Sequence, residues 1–207
     1  MSKIKMLNCY AGIGGNVKLL DRNNADITAV EINPKIAECY KKLFPNDNVI
    51  IADAHEYLRQ HFREFDFIWA SPPCPTHSVL QLSHSNDKDL KYPDMTLYQE
   101  IILLNQFYKG NWIIENVKPY YNPLIQPSFS IGRHLFWSNK FLLVNQFTNT
   151  YKKDVSRDKK EYLAENMGFN IKILENRGFD VRKVLRNCVQ PEIGKYIFDI
   201  ITKHNNV

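Results

Sequence analysis

The sequence contains no Cys-x-x-Cys pair. Its four cysteines, Cys9, Cys39, Cys74 and Cys188, stand far apart, which removes a cysteine-type zinc site and a redox dithiol and leaves four separate thiols. Long apolar runs are missing too: none approaches membrane-spanning length. The amino-terminal Met-Ser-Lys-Ile-Lys-Met carries charge without the apolar stretch and small-residue cleavage site of a secretion signal. Internal repeats and low-complexity tracts are absent. These absences lead to the expectation of a soluble, cytoplasmic protein that makes no use of a membrane. What is present is a chain of 207 residues, 44% apolar, long enough for one domain with a real core and too short for two full ones. Its net charge of +5 suggests a polyanionic partner, because Lys and Arg neutralise phosphates and release condensed counterions.

As far as residue 117 the chain alternates short apolar runs with amphipathic stretches, the pattern of parallel strands joined by helices. Strands are predicted at 4–10, 27–32, 48–52, 65–70 and 112–115, and helices at 15–23, 34–44, 54–63 and 96–108. Pro34 suits a first helical turn, and Pro45 lies just past the end of that helix. The fold class that follows is α/β, with a mostly parallel central sheet whose ligands bind beyond the carboxyl ends of the strands. Residues 133–144 read as strand or hairpin, and the polar stretch 146–160 as a surface insertion. The last stretch, 188–203, has Ile193, Ile197, Ile200 and Ile201 at helical spacing and should pack on the sheet.

Chemistry is therefore sought just after each strand. Asn8-Cys-Tyr-Ala-Gly-Ile-Gly-Gly15 ends the first strand, and its glycines let backbone approach a ligand. Glu31 ends the second strand, where a carboxylate accepts hydrogen bonds from ribose hydroxyls, and Asp53 follows the third. Together they fit an adenosine-containing cofactor; the spacing serves a dinucleotide and S-adenosylmethionine equally, and capping of the following helices is the alternative role of both carboxylates. After the fourth strand, Phe67-Ile-Trp-Ala-Ser-Pro-Pro-Cys-Pro-Thr-His-Ser78 holds Cys74 between prolines, which fix the backbone and present the thiol rigidly. Cys9, Cys39 and Cys188 read instead as small buried apolar residues. After the fifth strand comes Ile114-Glu-Asn-Val117, where Glu115 is placed to face Cys74 if the two strands are neighbours.

Taken in order, Tyr-Ala-Gly-Ile-Gly-Gly, Glu31, Asp53, Pro-Pro-Cys and Glu-Asn-Val resemble the motif series of the cytosine-5 DNA methyltransferase family. Arg186-Asn-Cys-Val189 with Pro191 resembles that family's last motif, so the likeness runs over residues 4–139 and 184–203. The resemblance implies a Rossmann-like, S-adenosylmethionine-dependent catalytic domain completed by the carboxyl-terminal helix. It implies that Tyr10 packs on adenine, Glu31 binds ribose, Asp53 the adenine amine and Asn187 the methionine part. Ala11, Gly12, Gly14, Gly15, Ile32, Ala54 and Pro73 would line the same pocket. It further implies Cys74 as nucleophile, Glu115 as its partner at the base and Asn116 as the tether of the catalytic loop.

Three positions depart from the family pattern. Pro75 stands where Gln is common, Asn8 where an acidic residue is common, and the family's Arg-x-Arg pair is represented only within Ile131-Gly-Arg-His-Leu-Phe136. Arg133 is taken as the cytosine-oxygen contact, while alignment on Leu135-Phe136 puts His134 there. By the family's chemistry Cys74 adds to carbon 6 of a flipped-out cytosine, carbon 5 accepts the methyl group, and elimination frees the thiol, with no metal required. Arg133 and the cofactor's positive sulfur are expected to favour thiolate. The polar stretch 77–91 would close over the base, with Gln81, Ser83 or Ser85 filling the gap in the helix and Lys88 and Lys91 on phosphates.

About 45 residues separate Phe141 from Arg186, so the target-recognition region is short. The expected organisation is a catalytic domain at 1–145, a recognition region at 146–183 and a completing segment at 184–207. Arg157, Lys159, Lys172, Arg177, Arg182 and Lys183 are candidates for DNA contact. The partner expected is DNA, with a second chain for target recognition as an alternative. Two other readings are a tRNA cytosine-5 methyltransferase, whose Cys-Phe-Thr signature is missing here, and a non-catalytic DNA-binding subunit, which would lack Cys74 or Glu115.

Overall fold

The computed structural model describes residues 2–83, 91–140 and 159–203. Five parallel strands carry the first half: β1 (Ile4–Cys9), β2 (Ala25–Val30), β3 (Asn48–Ile50), β4 (Phe67–Ala70) and β5 (Asn111–Val117). A hairpin of β6 (Phe129–Ile131) and β7 (His134–Ser138) follows, giving a seven-stranded sheet in the order β3-β2-β1-β4-β5-β7-β6. Only β7 runs against the rest; it pairs antiparallel with both β5 and β6. Gly132, at φ 59°, supplies the positive torsion that a two-residue hairpin turn needs. β4 is buried throughout, as is β5 up to Asn116, because helices cover both faces of the sheet.

Helix α1 (Pro34–Leu43) starts where Asn33 accepts from the backbone N–H of Lys35 and Ile36, and ends with Lys41 and Lys42 against its negative pole. Helix α2 (Ala54–His61) is capped by Asp53, whose Oδ1 accepts from Glu56 N at 3.0 Å. Together with α3 (Thr96–Phe107) it covers one face, burying Leu58, Leu97, Ile101 and Leu104. The other face is covered by α1, by the turns after β1 and by α7 (Pro191–Lys203), which buries Ile193, Ile197 and Ile201. Three short helices, α4 (Lys160–Asn166), α5 (Ile171–Leu174) and α6 (Val181–Arg186), close a third cluster with Ile13 and Cys39. The part of the expected recognition region that is described thus packs on α1 and the glycine-rich loop. Among the described residues no helix is long and apolar enough to cross a membrane.

One predicted helix does not form. Residues 15–23 make successive i to i+3 turns, with Val17 N on Gly14 O, Lys18 N on Gly15 O and Leu20 N on Val17 O. Arg22 explains why: its Nη1 donates to the carbonyls of Val17 and Leu20 at 2.6 and 2.8 Å, occupying acceptors a helix would use, while its other nitrogens clamp Asp47. Asn16 turns inward instead and exchanges hydrogen bonds with Asn8, neither side chain reaching solvent to any extent. α7 then lies directly on this segment; a Cβ on Gly194 would stand 2.0 Å from the carbonyl oxygen of Asn16.

Candidate functional site

In a sheet of this order the chain reverses direction between β1 and β4, and the crevice beyond their carboxyl ends is where a ligand fits. Two cavities open there and meet at Cys74. The first, about 390 Å³, is walled by Tyr10, Ala11, Gly12 and Gly15 after β1, Glu31 and Ile32 after β2, Asp53 and Ala54 at the start of α2, Pro73 and Cys74 after β4, and Asn187. Ten of the eleven residues expected at a cofactor are therefore brought to one space. Gly14 is not: it faces away, where a Cβ would strike Phe44 and Tyr40 at 2.6 and 2.7 Å. Gly15 serves packing as well, since a Cβ there would meet the Val189 carbonyl at 2.6 Å.

Glu31 is nearly buried, and its carboxylate ties two loops together, accepting from Gly12 N and Asn33 N at 2.9 Å each. Held in that way it presents fixed acceptor lone pairs to the cavity. Asp53 caps α2 and lines the cavity at the same time. Tyr10 sits in the left-handed region, at φ 57°, with its hydroxyl donating to Glu100 Oε1 at 2.5 Å. Ile32, 64% exposed, and Ile36 give the cavity an apolar side opposite these polar groups. A compact space with a flanking aliphatic wall, an anchored carboxylate and close backbone fits a nucleoside-bearing cofactor. Asn8 also lines it, yet is committed to Asn16.

The second cavity, about 660 Å³, is lined by Cys74, Glu115, Asn116, Arg133, His134, Arg182, Lys183, Arg186 and Asn187. Parallel pairing of β4 with β5, with Ala70 beside Ile114, brings the Pro-Pro-Cys turn next to Glu115. Asn116, 2% exposed, donates from Nδ2 to the Pro72 carbonyl at 3.0 Å and so fastens that turn. The Cys74 carbonyl accepts from the N–H of His77 and of Ser78, both at 3.0 Å. Gln81 donates to the Pro75 carbonyl at 2.7 Å, and His77, 1% exposed, shares a 2.6 Å hydrogen bond with Tyr121. His77 and Gln81 thus brace the turn from inside rather than reaching outward. Ser85 and Lys88, expected to help close over the base, lie outside the described residues, as does Arg157.

Glu115 is bound by His134, whose Nδ1 is 2.5 Å from Glu115 Oε1. Antiparallel pairing of β7 with β5 sets His134 beside Val117, and both members of the pair are buried. Arg133, expected from its motif to contact the base, is exposed on the turn; its Nη2 donates to the Arg186 carbonyl at 2.6 Å and its Nε to His134 Nε2 at 3.3 Å. The Cys74 thiol has its pKa raised, first by burial and next by the Glu115 charge; Arg133 and Lys183 pull it down but do not prevail. Arg133 thus acts in the direction expected of it, toward thiolate, and burial outweighs it. Cys9 and Cys188 are buried and likewise pushed up by desolvation, Cys188 to about 12. Sequence reasoning passed over Asn16, Glu100 and His55, which carry no motif; a lone acid in the apolar run 97–104 was the one available signal.

Among solved structures, a DNMT2 variant from Spodoptera frugiperda is 26% identical over 59% of this chain and 38% of its own, with a TM-score of 0.39. A DNA modification methyltransferase encoded within an Escherichia coli prophage is 20% identical over 58% and 34%, at 0.42. A SAM-dependent methyltransferase from Agrobacterium tumefaciens is 13% identical over 58% and 40%, at 0.42. The chain spans 40% or less of the length of each. No curated protein sequence matches. The model of C-5 cytosine-specific DNA methylases matches residues 4–124, more than half of the chain, including the glycine-rich loop, Glu31, Asp53, Cys74 and Glu115; the chain belongs to that family, whose methyl donor is S-adenosylmethionine.

Proposed function

We propose that this chain methylates carbon 5 of cytosine in DNA through a covalent bond from Cys74. The observation that carries this is the meeting of two cavities at one thiol, one side built for a nucleoside cofactor and the other ending in a buried carboxylate with basic residues around it. When bound, S-adenosylmethionine supplies an electrophilic methyl group. Carbon 5 of cytosine is too poor a nucleophile to take it directly, and the chain's own residues remedy that. The Cys74 thiol gives up its proton and the thiolate adds to carbon 6, the carbon–sulfur bond forming as the carbon 5–carbon 6 π pair moves into the ring. Glu115, oriented by His134, holds ring nitrogen 3 and the exocyclic amine as electron density moves into the ring. Carbon 5, now part of an enamine, receives the methyl; loss of its proton to a base and cleavage of the carbon–sulfur bond restore the aromatic ring and the Cys74 thiolate. These atoms are inaccessible in a stacked duplex, so the base enters the cavity flipped out. Arg133, Arg182, Lys183 and Arg186 are the groups for the surrounding phosphates. Target selection falls to the short recognition region, or to a partner chain where that region is insufficient.

The test uses DNA that the chain methylates, with fluorine placed at carbon 5 of the target cytosine. Elimination then cannot follow methyl transfer, and a cofactor-dependent protein–DNA adduct should survive denaturing electrophoresis, map to the Cys74 peptide and vanish in Cys74→Ala. Methylation without an adduct, or an adduct at Cys9, Cys39 or Cys188, would overturn the assignment. Methylation of transfer RNA with no methylation of DNA would reassign the substrate.

A further inference from the structure

Glu100 is the least expected residue in the molecule. It lies on α3 with no solvent exposure, on the face that also buries Leu97, Ile101 and Leu104. Burial is costly for a carboxylate unless it is paired, and this one is paired on one oxygen only. Oε1 accepts from the Tyr10 hydroxyl at 2.5 Å and lies 3.0 Å from His55 Nδ1, while Oε2 is buried with no hydrogen-bond partner among the described residues. Replacing it by an apolar residue would relieve the fold of that burden, so its presence asks what it holds.

It holds the aromatic wall of the cofactor cavity. Tyr10 leaves β1 in a left-handed conformation that bulky side chains rarely adopt, which fixes where its ring begins. The bond to Glu100 fixes where the ring ends. His55, next in sequence to Ala54 of the cavity wall and about one third exposed, brings its Nδ1 from α2 to 3.0 Å from the same Glu100 oxygen. Its imidazole has its pKa raised, chiefly by the hydrogen bond to Glu100, whereas burial raises that of Glu100 and keeps Tyr10 a phenol able to donate. Three segments distant in sequence thus converge behind one ring.

We propose that Glu100, paired with His55, is a positioning residue for the cofactor, holding the Tyr10 ring in place before the cofactor arrives. The inference rests on reading the cavity between Gly12 and Asp53 as the S-adenosylmethionine site. A ring already fixed has no motion to lose on binding, so its release should weaken affinity and leave the chemical step alone.

Calorimetric titration of the full chain with S-adenosylhomocysteine, together with steady-state kinetics, tests this. Glu100→Leu and Tyr10→Phe should each weaken binding about tenfold, the size expected for loss of a charged hydrogen bond. The double variant should be no weaker than either single one, because both act through one contact. Glu100→Gln keeps an acceptor for the hydroxyl and should fall between wild type and Glu100→Leu. KM for the cofactor should rise with kcat within about twofold of wild type. Unchanged affinity in Tyr10→Phe, a variant that removes a single oxygen, would overturn the proposal, as would multiplicative losses in the double variant. Both results leave the cofactor reading standing, whereas absence of binding to the wild-type chain would remove that reading and this inference with it.

Discussion

At the scale of single residues, the His134–Glu115 pair shows how a departure from the family pattern is accommodated. A carboxylate 5% exposed needs a donor, and the imidazole supplies one from the neighbouring strand. Removing one member leaves the other buried without its hydrogen bond, and losing such a bond to a charged group typically costs about 1.5–3 kcal/mol. His134→Leu should therefore lower stability by that amount in chemical denaturation. The double variant His134→Leu/Glu115→Leu should recover most of the loss. If the single and double variants were equally unstable, the pair would not be what the strand junction depends on. In the sequence both Arg133 and His134 are visible as candidates for the same place. Their places in the hairpin separate them: His134 opens β7 beside Val117 and sets its imidazole on Glu115, whereas Arg133 stays on the exposed turn and reaches the Arg186 carbonyl.

Among elements, the parallel strands and their helices are legible in the sequence because apolar runs and caps are local signals. Predicted strand 48–52 is Asn48–Ile50 in the structure and predicted helix 34–44 is Pro34–Leu43, shifts of one or two residues at the ends. The failure at 15–23 has a non-local cause. Its apolar spacing suits a helix, but Asp47 holds Arg22 across the carbonyls, and nothing near residue 22 announces residue 47. The same segment makes α7 sensitive to size. Gly194→Ala must push α7 off the Asn16 carbonyl, since the two cannot share 2.0 Å, and the overpacking should cost at least about 1–3 kcal/mol. An unaltered melting temperature in that variant would mean that α7 does not rest on the turn segment.

The turn after Cys74 carries a pH dependence of defined sign. Burial lowers the pKa of His77 below its ordinary value, against a smaller upward pull from Asp94. A histidine whose folded pKa is depressed contributes stability above its unfolded pKa, about 6.5, and loses it as pH falls through the folded value. His55 acts in the opposite sense: its raised pKa contributes stability in acid that is lost as pH rises. Melting temperature should thus fall on acidification below pH ~6.5 more steeply in the wild type than in His77→Gln. Matching slopes would show that the His77 ring charges without penalty.

At the scale of the whole molecule, a net charge of +5 is modest, and it is the fold that gives it direction. Arg133 comes from the β6–β7 turn and Arg182, Lys183 and Arg186 from α6, some fifty residues later, yet all four line the cavity at Cys74. Composition could report the charge but not this convergence, which is made by packing α6 over the sheet end. Lys183 is exposed and borders both cavities, so it is the informative member. If it meets a backbone phosphate, Lys183→Ala should weaken binding of duplexes of every sequence alike, and the slope of log affinity against log salt should shrink by about 1. Fluorescence anisotropy at several salt concentrations measures both. The same cation also draws down the pKa of Cys74, which burial and Glu115 hold up. If Cys74 is the nucleophile as proposed, loss of Lys183 should move the alkaline rise of the methylation rate to higher pH. A sequence-dependent loss of affinity would make Lys183 a reader of bases, and an unchanged slope would place the phosphates elsewhere on the surface.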